Sequence, residues 1–168
     1  FYANKTVLGG FLGGLFGVEF IKKIIGEKNS SGDLFTFPII LALIIGRIGC
    51  FSMGVYEETY GNATRFITGM NLGDGLKRHP AALYEIAFLI CLWIILEKIK
   101  NNFSPGSGTV FKIFLISYCV FRFLLDFIKP HYSWSIGLSS IQLTALAGLL
   151  YYIYLAYKKT VISTNFNT

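Results

Sequence analysis

Arg122, Asp126 and Lys129 stand four and three residues apart inside the otherwise apolar stretch from Thr109 to Lys129. On an α-helix that spacing brings all three to one face. An unpaired charge at the centre of a bilayer costs about 2.5–3.5 kcal/mol on insertion scales. A membrane helix with three such groups keeps them to pair, to line a wet cavity or to hold a charged ligand. A further cation of this kind, Arg47, sits near the end of the apolar run Leu34–Phe51, within Ile-Gly-Arg-Ile-Gly-Cys. Two arginines set into apolar runs point to a polyanionic ligand handled at a membrane, and a phospholipid headgroup has that chemistry.

The elements that must position these residues are spans. The 168 residues are 54% hydrophobic with a formal net charge of +6, and the mean hydropathy is +0.58. The apolar residues fall into blocks, which predicts a polytopic, all-α membrane bundle. Five candidate spans run over Thr6–Ile25, Leu34–Phe51, Pro80–Ile99, Thr109–Lys129 and Leu138–Tyr157, each near the ~20 residues a bilayer needs. Residues 1–168 read as one transmembrane domain, with 52–79 as an outward-facing loop or small cap. Pro38 either starts the second helix or kinks it. The fifth span opens on Ser139-Ser140-Ile141-Gln142, a capping box, with Leu138 and Leu143 as its hydrophobic staple. That is a structural reason for Gln142 beside a ligand role. The glycine run Gly9–Gly17 contains overlapping G-x-x-x-G spacings, read as close helix packing rather than a phosphate loop, since no Lys-Ser/Thr follows. The chain opens on Phe1 with no charged leader before an apolar core, and reads as an internal piece of a longer one.

Lys22, Lys23 and Lys28 follow the first span, Lys98 and Lys100 the third, and Lys158 and Lys159 the fifth. Positive residues mark cytoplasmic connections, so 52–79 and 130–137 face outward. Arg47, Arg65, Lys77, Arg78 and Lys129 then lie at or beyond the outer leaflet, against the simple rule, and serve something other than topology. Tyr56, Tyr60, Phe66 and Met70 are expected to lay the cap against the membrane surface. Cys50, Cys91 and Cys119 form neither a disulfide framework nor a metal motif, and His79 and His131 are far apart. No metal, cofactor or nucleic-acid partner is expected.

Three segments resemble one family. Gly46-Arg47-Ile48-Gly49-Cys50-Phe51, continuing to Tyr60-Gly61, is similar to the G-R-x-G-N-F…G signature of bacterial prolipoprotein diacylglyceryl transferases. Arg78-His79-Pro80-Ala81-Ala82-Leu83-Tyr84-Glu85 resembles their R-[HY]-P-[ST]-Q-L-Y-E, and Phe121-Arg122 through Lys129 resembles F-R-x-x-x-E-F-x-R. Gly137–Gln142 looks like their L-S-x-G-Q segment. The resemblance, in order, covers nearly the whole chain.

It implies an enzyme of the bacterial plasma membrane, multi-pass with its active face outward. Such an enzyme moves diacylglyceryl from phosphatidylglycerol to the lipobox cysteine thiol of a prolipoprotein signal peptide, among membrane lipids. Arg47 and Arg122 match the family arginines assigned to the phospholipid phosphate, and His79 is the candidate base. Gly61, Tyr84, Glu85, Asp126, Lys129 and Gln142 are carried over as substrate-binding positions. Negative charge develops on the departing phosphate monoester, which fixed guanidinium donors stabilise, and the thiol must lose its proton. The two guanidiniums are expected to reach one phosphate. The chain departs from the family pattern at Leu8 (His), Cys50 and Met53 (both Asn), and Ala81-Ala82 (Ser/Thr-Gln). Two functional classes therefore stand: a divergent transferase, and a non-catalytic phospholipid-binding or accessory membrane protein of the same fold. For His79, a helix-start role stands beside the catalytic one; for Glu85, a favourable place at a helix N-terminus; for Tyr84, an interfacial anchor.

Overall fold

The computed structural model describes residues 7–26, 31–56, 60–104, 107–130, 139 and 141–151. The side chains of Leu8, Gly9 and Glu19 lie outside the described residues. So do Leu138, Ser140, His131, Lys158, Lys159 and everything after Tyr151.

Five helices account for most of the described chain. They are α1 (Val7–Ile25), α2 (Gly32–Met53), α3 (Ala81–Ile99), α4 (Thr109–Asp126) and α5 (Ile141–Tyr151). Four begin or end within three residues of the expected span at both ends. The segment Gly32–Tyr56, α2 with the 3-10 turn that follows, is 25 residues long and apolar enough to cross a membrane. Pro38 lies inside α2, six residues after its first residue, so it does not start the helix. The fourth expected span is shorter than its apolar run. α4 stops at Asp126, and 127–129 continue as a tight turn in which Phe127, Ile128 and Lys129 N–H groups bond the carbonyls three residues back. Lys129 is therefore off the helix that carries Arg122 and Asp126.

The chain divides into two compact units. The first comprises Asn29–Phe114 and Leu124–Tyr132, and holds α2, the cap, α3 and both ends of α4. In it α2 and α3 pack as an antiparallel pair: the Phe37 ring meets Trp93 at 5.3 Å, tilted by 58°, while Arg47, ten residues on, meets Glu85, eight residues back. The inner stripe of α3 is Ala82, Glu85, Leu89, Leu92 and Leu96, the three-four spacing of a helix seam. α2 buries only Thr36, Ile40 and Arg47, and turns Leu34, Phe35, Leu41, Ile45 and Ile48 outward. Polar groups inside and aliphatic groups outside is the arrangement a chain adopts when its solvent is lipid.

Asp33, in the first turn of α2, accepts hydrogen bonds from Gly108 N–H at 2.8 Å and Phe111 N–H at 3.1 Å. The carboxylate thereby satisfies two of the open donors at the start of α4. A Cβ on Gly32 would lie 2.9 Å from Phe111 Cβ, so the two helix starts can approach this closely only over a glycine.

Residues 60–79 form a small cap with its own sheet: β1 (Met70–Asn71) pairs antiparallel with β2 (Lys77–Arg78), Met70 opposite Arg78. The turn is built from Asn-Leu-Gly-Asp-Gly. Asn71 Oδ1 accepts from the N–H groups of Gly73 and Gly75, both at positive φ, and Asp74 Oδ1 accepts from Leu76 N–H. This hairpin is a local exception to the all-α reading.

The second unit comprises Phe1–Lys28, Leu115–Phe123 and Ser133–Thr168. Phe16 of α1 meets Tyr151 of α5 edge-on at 5.3 Å, and Leu115, Tyr118, Cys119, Arg122, Gln142 and Ala145 are buried. The glycine run is helical, as expected. The close helix approach expected of it is not made at Gly10, Gly13, Gly14 or Gly17, where a Cβ would meet nothing within 4 Å.

Candidate functional site

The end of the α2–α3 pair nearest the cap holds the clearest polar centre. Arg47 Nε lies 3.0 Å from Glu85 Oε1, with both side chains buried, and Arg47 Nη1 also reaches Cys50 Sγ at 3.8 Å. Glu85 stands one turn into α3, on the same stripe as Leu89, Leu92 and Leu96, so the helix seam that packs α3 also aims the carboxylate at α2. A buried ion pair of this kind is favourable only when its geometry and its other hydrogen bonds are good, and losing one partner is costly. The carboxylate fixes the guanidinium in place between the two helices.

Beside it, the cap delivers a second cluster to the start of α3. His79 Nδ1 is 3.0 Å from the Tyr84 hydroxyl, which is also in short contact with Thr68 Oγ1. Gly61 N–H donates to the His79 carbonyl at 2.9 Å, and His79 N–H donates to the Asn62 carbonyl at 3.1 Å. A Cβ on Gly61 would lie 2.6 Å from His79 Cβ and 2.9 Å from His79 O. Gly61 thus works here as a close-approach glycine that lets two backbone segments bond in both directions. Asn62 extends the tie to the turn after α4, donating from N–H to Ile128 O at 2.7 Å and from Nδ2 to Lys129 O at 3.4 Å. Asp126 and Lys129 are both buried at that end of the unit.

Three positions at which the chain departs from the family pattern also come together. Cys50, Ala81 and Ala82 line one small cavity of about 10 Å³ with Tyr60 and Pro80. Polar side chains are replaced there by small apolar ones around a single space, although the positions are some thirty residues apart in sequence.

In the second unit, Arg122 is 4% exposed and Gln142 is buried. The capping box forms in both directions: Gln142 N–H donates to Ser139 Oγ at 3.2 Å and Ser139 N–H donates to Gln142 Oε1 at 3.0 Å. The structural role of Gln142 is therefore real. It uses only half of the amide, because Gln142 Nε2 is buried with no hydrogen-bond partner among the described residues. An orphaned buried donor is a position where a ligand acceptor fits.

Sequence reasoning picked out Arg47, Glu85, His79, Tyr84 and Gly61, and the structure joins them as Arg47 with Glu85 and as Gly61 with His79 and Tyr84. It missed Thr68 and Asn62, which hold Tyr84 and the turn at Lys129. Neither belongs to a periodic pattern, and only their place in a polar loop between two motifs marked them.

The family model described as prolipoprotein diacylglyceryl transferase matches residues 6–158. Among curated proteins, the phosphatidylglycerol–prolipoprotein diacylglyceryl transferase of Nitratidesulfovibrio vulgaris is 36% identical over 127 residues, 71% of this chain and 47% of that protein. The protein of the same name from Cupriavidus metallidurans is 33% identical over 145 residues, 81% of this chain and 50% of that one. The chain spans about half the length of the curated relatives it matches. No solved structure matches it.

Proposed function

The chain belongs to the prolipoprotein diacylglyceryl transferase family, and from that premise we propose that it works on phosphatidylglycerol and a lipobox cysteine in the plasma membrane of a bacterium. In the reaction the carbon–oxygen bond between the diacylglyceryl carbon and the phosphate breaks. A carbon–sulfur bond to the thiol forms, glycerol phosphate leaves, and the thiol proton passes to a base. The observation that carries the reading is the buried Arg47 guanidinium held by Glu85. A cation at that depth, pre-oriented by a carboxylate, stabilises charge growing on a phosphate without reorganising.

Arg122, also buried, is assigned to the phospholipid through the motif it matches. His79 takes the thiol proton: the Tyr84 hydroxyl at Nδ1 holds the ring and leaves Nε2 for the substrate. Gln142 Nε2 donates to a ligand oxygen, Asp126 and Lys129 line the lipid-binding region, and Gly61 shapes it through His79. Five spans with 52–79 outward, and the active face with it, complete the arrangement; the distribution of Lys and Arg supports it.

The second reading, a phospholipid-binding accessory protein, is favoured by the apolar cavity at Cys50, Ala81 and Ala82. Complementation of a transferase-depleted bacterium by the full-length protein separates the two. Growth with thioether-modified lipoprotein supports the transferase. Expression and lipid binding without modification supports the accessory reading. The orientation is tested with cysteines at Leu76 and Asn101 and an impermeant maleimide: Leu76→Cys should label from outside and Asn101→Cys only after permeabilisation.

A further inference from the structure

The cap carries an exposed surface beside the proposed chemistry, and Phe66 at its edge also meets the His79 ring at 6.3 Å. Phe66 and Ile67 stand side by side on its outer turn, 62% and 93% exposed, and Arg65 and Lys77 beside them are exposed as well. The turn is braced. Phe66 N–H bonds Thr64 Oγ1 at 3.1 Å, Gly69 N–H bonds Phe66 O at 2.9 Å, and Thr64 N–H bonds Lys77 O at 2.8 Å. Thr68, next to Ile67, is tied to Tyr84 of α3. An apolar pair is thus held outward on a fixed support, with two cations at its flanks.

The depth of this turn is set by α2. The apolar segment Gly32–Tyr56 ends on Tyr56, 88% exposed, as an aromatic residue at a membrane interface is. One residue earlier, Val55 N–H donates to Leu72 O at 3.2 Å, and a Cβ on Gly54 would run into that same carbonyl. The hairpin is therefore fastened to the end of the helix, at headgroup level. Over 52–79 three Arg and Lys stand against three acidic residues, Glu57, Glu58 and Asp74, so the segment carries no net charge. Asp74 is paired with Arg78, and Arg65 and Lys77 are the cations that flank Phe66 and Ile67. Such a local pair of cations beside an apolar pair attracts an anionic lipid surface and disfavours a basic peptide there.

We infer that the cap rests in the headgroup layer of an anionic leaflet, with Phe66 and Ile67 at the acyl boundary and Arg65 and Lys77 on lipid phosphates. Apolar and aromatic groups flanked by Lys and Arg are the composition of interfacial membrane anchors. The cap then also presses on the leaflet beside the polar cluster of His79 and Tyr84, where a lipid substrate has to leave the bilayer plane. The inference rests on the reading that the chain spans a membrane.

A photoreactive benzophenone amino acid in place of Ile67, in the full chain reconstituted in phosphatidylglycerol–phosphatidylcholine vesicles, tests it. Mass spectrometry of the irradiated protein should find lipid adducts. Arg65→Gln and Lys77→Gln should each lower their yield about fivefold, the factor that corresponds to one basic residue at an anionic surface. The same probe at Ile45, exposed on α2, is the control for the membrane reading. Lipid adducts at 45 and none at 67 overturn the cap inference alone. Their absence at both positions overturns the membrane reading and the inference with it. Cross-links from 67 to a second copy, or to an added lipobox peptide in preference to lipid, assign the surface to a protein partner and also overturn it. Adducts at 67 that form equally well in pure phosphatidylcholine overturn the electrostatic half of the inference.

Discussion

Two arginine–carboxylate pairs in the same unit sit in opposite surroundings. Arg47–Glu85 lies between α2 and α3 at 3.0 Å, with side chains 6% and 1% exposed. Arg78–Asp74 lies in the cap at 2.6 Å, with side chains 19% and 25% exposed. The shorter pair is the weaker one. Water and counterions screen the cap pair, and solvent takes up either partner if the other is lost. Between the helices no solvent does so, and each ion depends on its partner. The difference explains why the helical pair fits a catalytic role: the same isolation that makes it costly makes its field strong at a bound phosphate.

The sharpest way to break that comparison is to remove one buried partner. Glu85→Ala should cost about 3–5 kcal/mol, because it leaves the Arg47 guanidinium buried and uncompensated. Arg47→Met combined with Glu85→Leu should recover most of the loss while abolishing lipid turnover. Thermal unfolding in detergent micelles reads the first effect, and transfer of labelled diacylglycerol to a lipobox peptide reads the second. If the double substitution is as unstable as Glu85→Ala, the deficit comes from packing and the ion pair is not its source.

The next effect is on rate. His79→Gln should lower turnover by about 10²–10⁴, the usual range for a lost general base. Tyr84→Phe, which removes the hydroxyl at His79 Nδ1, should give a smaller loss of the same kind. Both variants should still bind phosphatidylglycerol, measured by lipid co-purification. An unchanged rate in His79→Gln would make His79 the residue that starts α3 and nothing more.

The contrast between buried and solvated polar groups also decides what the sequence made legible. The helices were readable because apolar blocks of helical length have few other solutions. Arg47, Arg122 and Asp126 were readable because charge inside such a block is rare enough to stand out, and Glu85 through the motif that resembles the family. The capping box of Ser139 and Gln142 was readable because it is local, four residues long, and independent of the fold. Three features were not. The end of α4 at Asp126 falls short of the stop that Pro130 marks, and there the cap reaches 67 residues across to Lys129 O, a tie that no local pattern encodes. The hairpin is two residues per strand, too short for an alternating signal. Partnership was the third: the pairing of Arg47 with Glu85 and the gathering of Cys50, Ala81 and Ala82 around one cavity both need the antiparallel register of α2 and α3.

Asp33 tests an intermediate case, a half-buried carboxylate that holds backbone rather than a charge. Asp33→Ala removes both acceptors from Gly108 N–H and Phe111 N–H and should cost about 1–2 kcal/mol, the range of a strong helix cap. Asp33→Asn should keep much of it, since an amide oxygen still accepts one of the bonds. Hydrogen exchange at Phe111 should accelerate in the alanine variant, while the α2–α3 seam at Leu89 and Leu92 stays protected.

The smallest effect belongs to the cap pair. The Arg78 guanidinium, hydrogen-bonded to Asp74, holds its carboxyl below the usual carboxylate range, with the Leu76 N–H adding to it. A lowered folded-state value means that the pair's contribution is complete above the ordinary carboxylate pKa of about 4. It is lost as the pH falls through the lower folded value, and nothing about the pair changes between neutral pH and pH 5. Asp74→Asn should therefore leave global unfolding at neutral pH unchanged within error, since the pair is exposed to solvent and screened. Two contacts preserve the local structure: the amide oxygen still accepts from Leu76 N–H, and Arg78 keeps its place 4.8 Å over the Tyr60 ring. The Arg78 Nε–H resonance should shift in the aspartate form only at acid pH, and should be flat in Asp74→Asn. Unfolding of the hairpin in Asp74→Asn at pH 7 would show that the cap leans on its ion pair as the helices lean on theirs, and the contrast between the two pairs would fail.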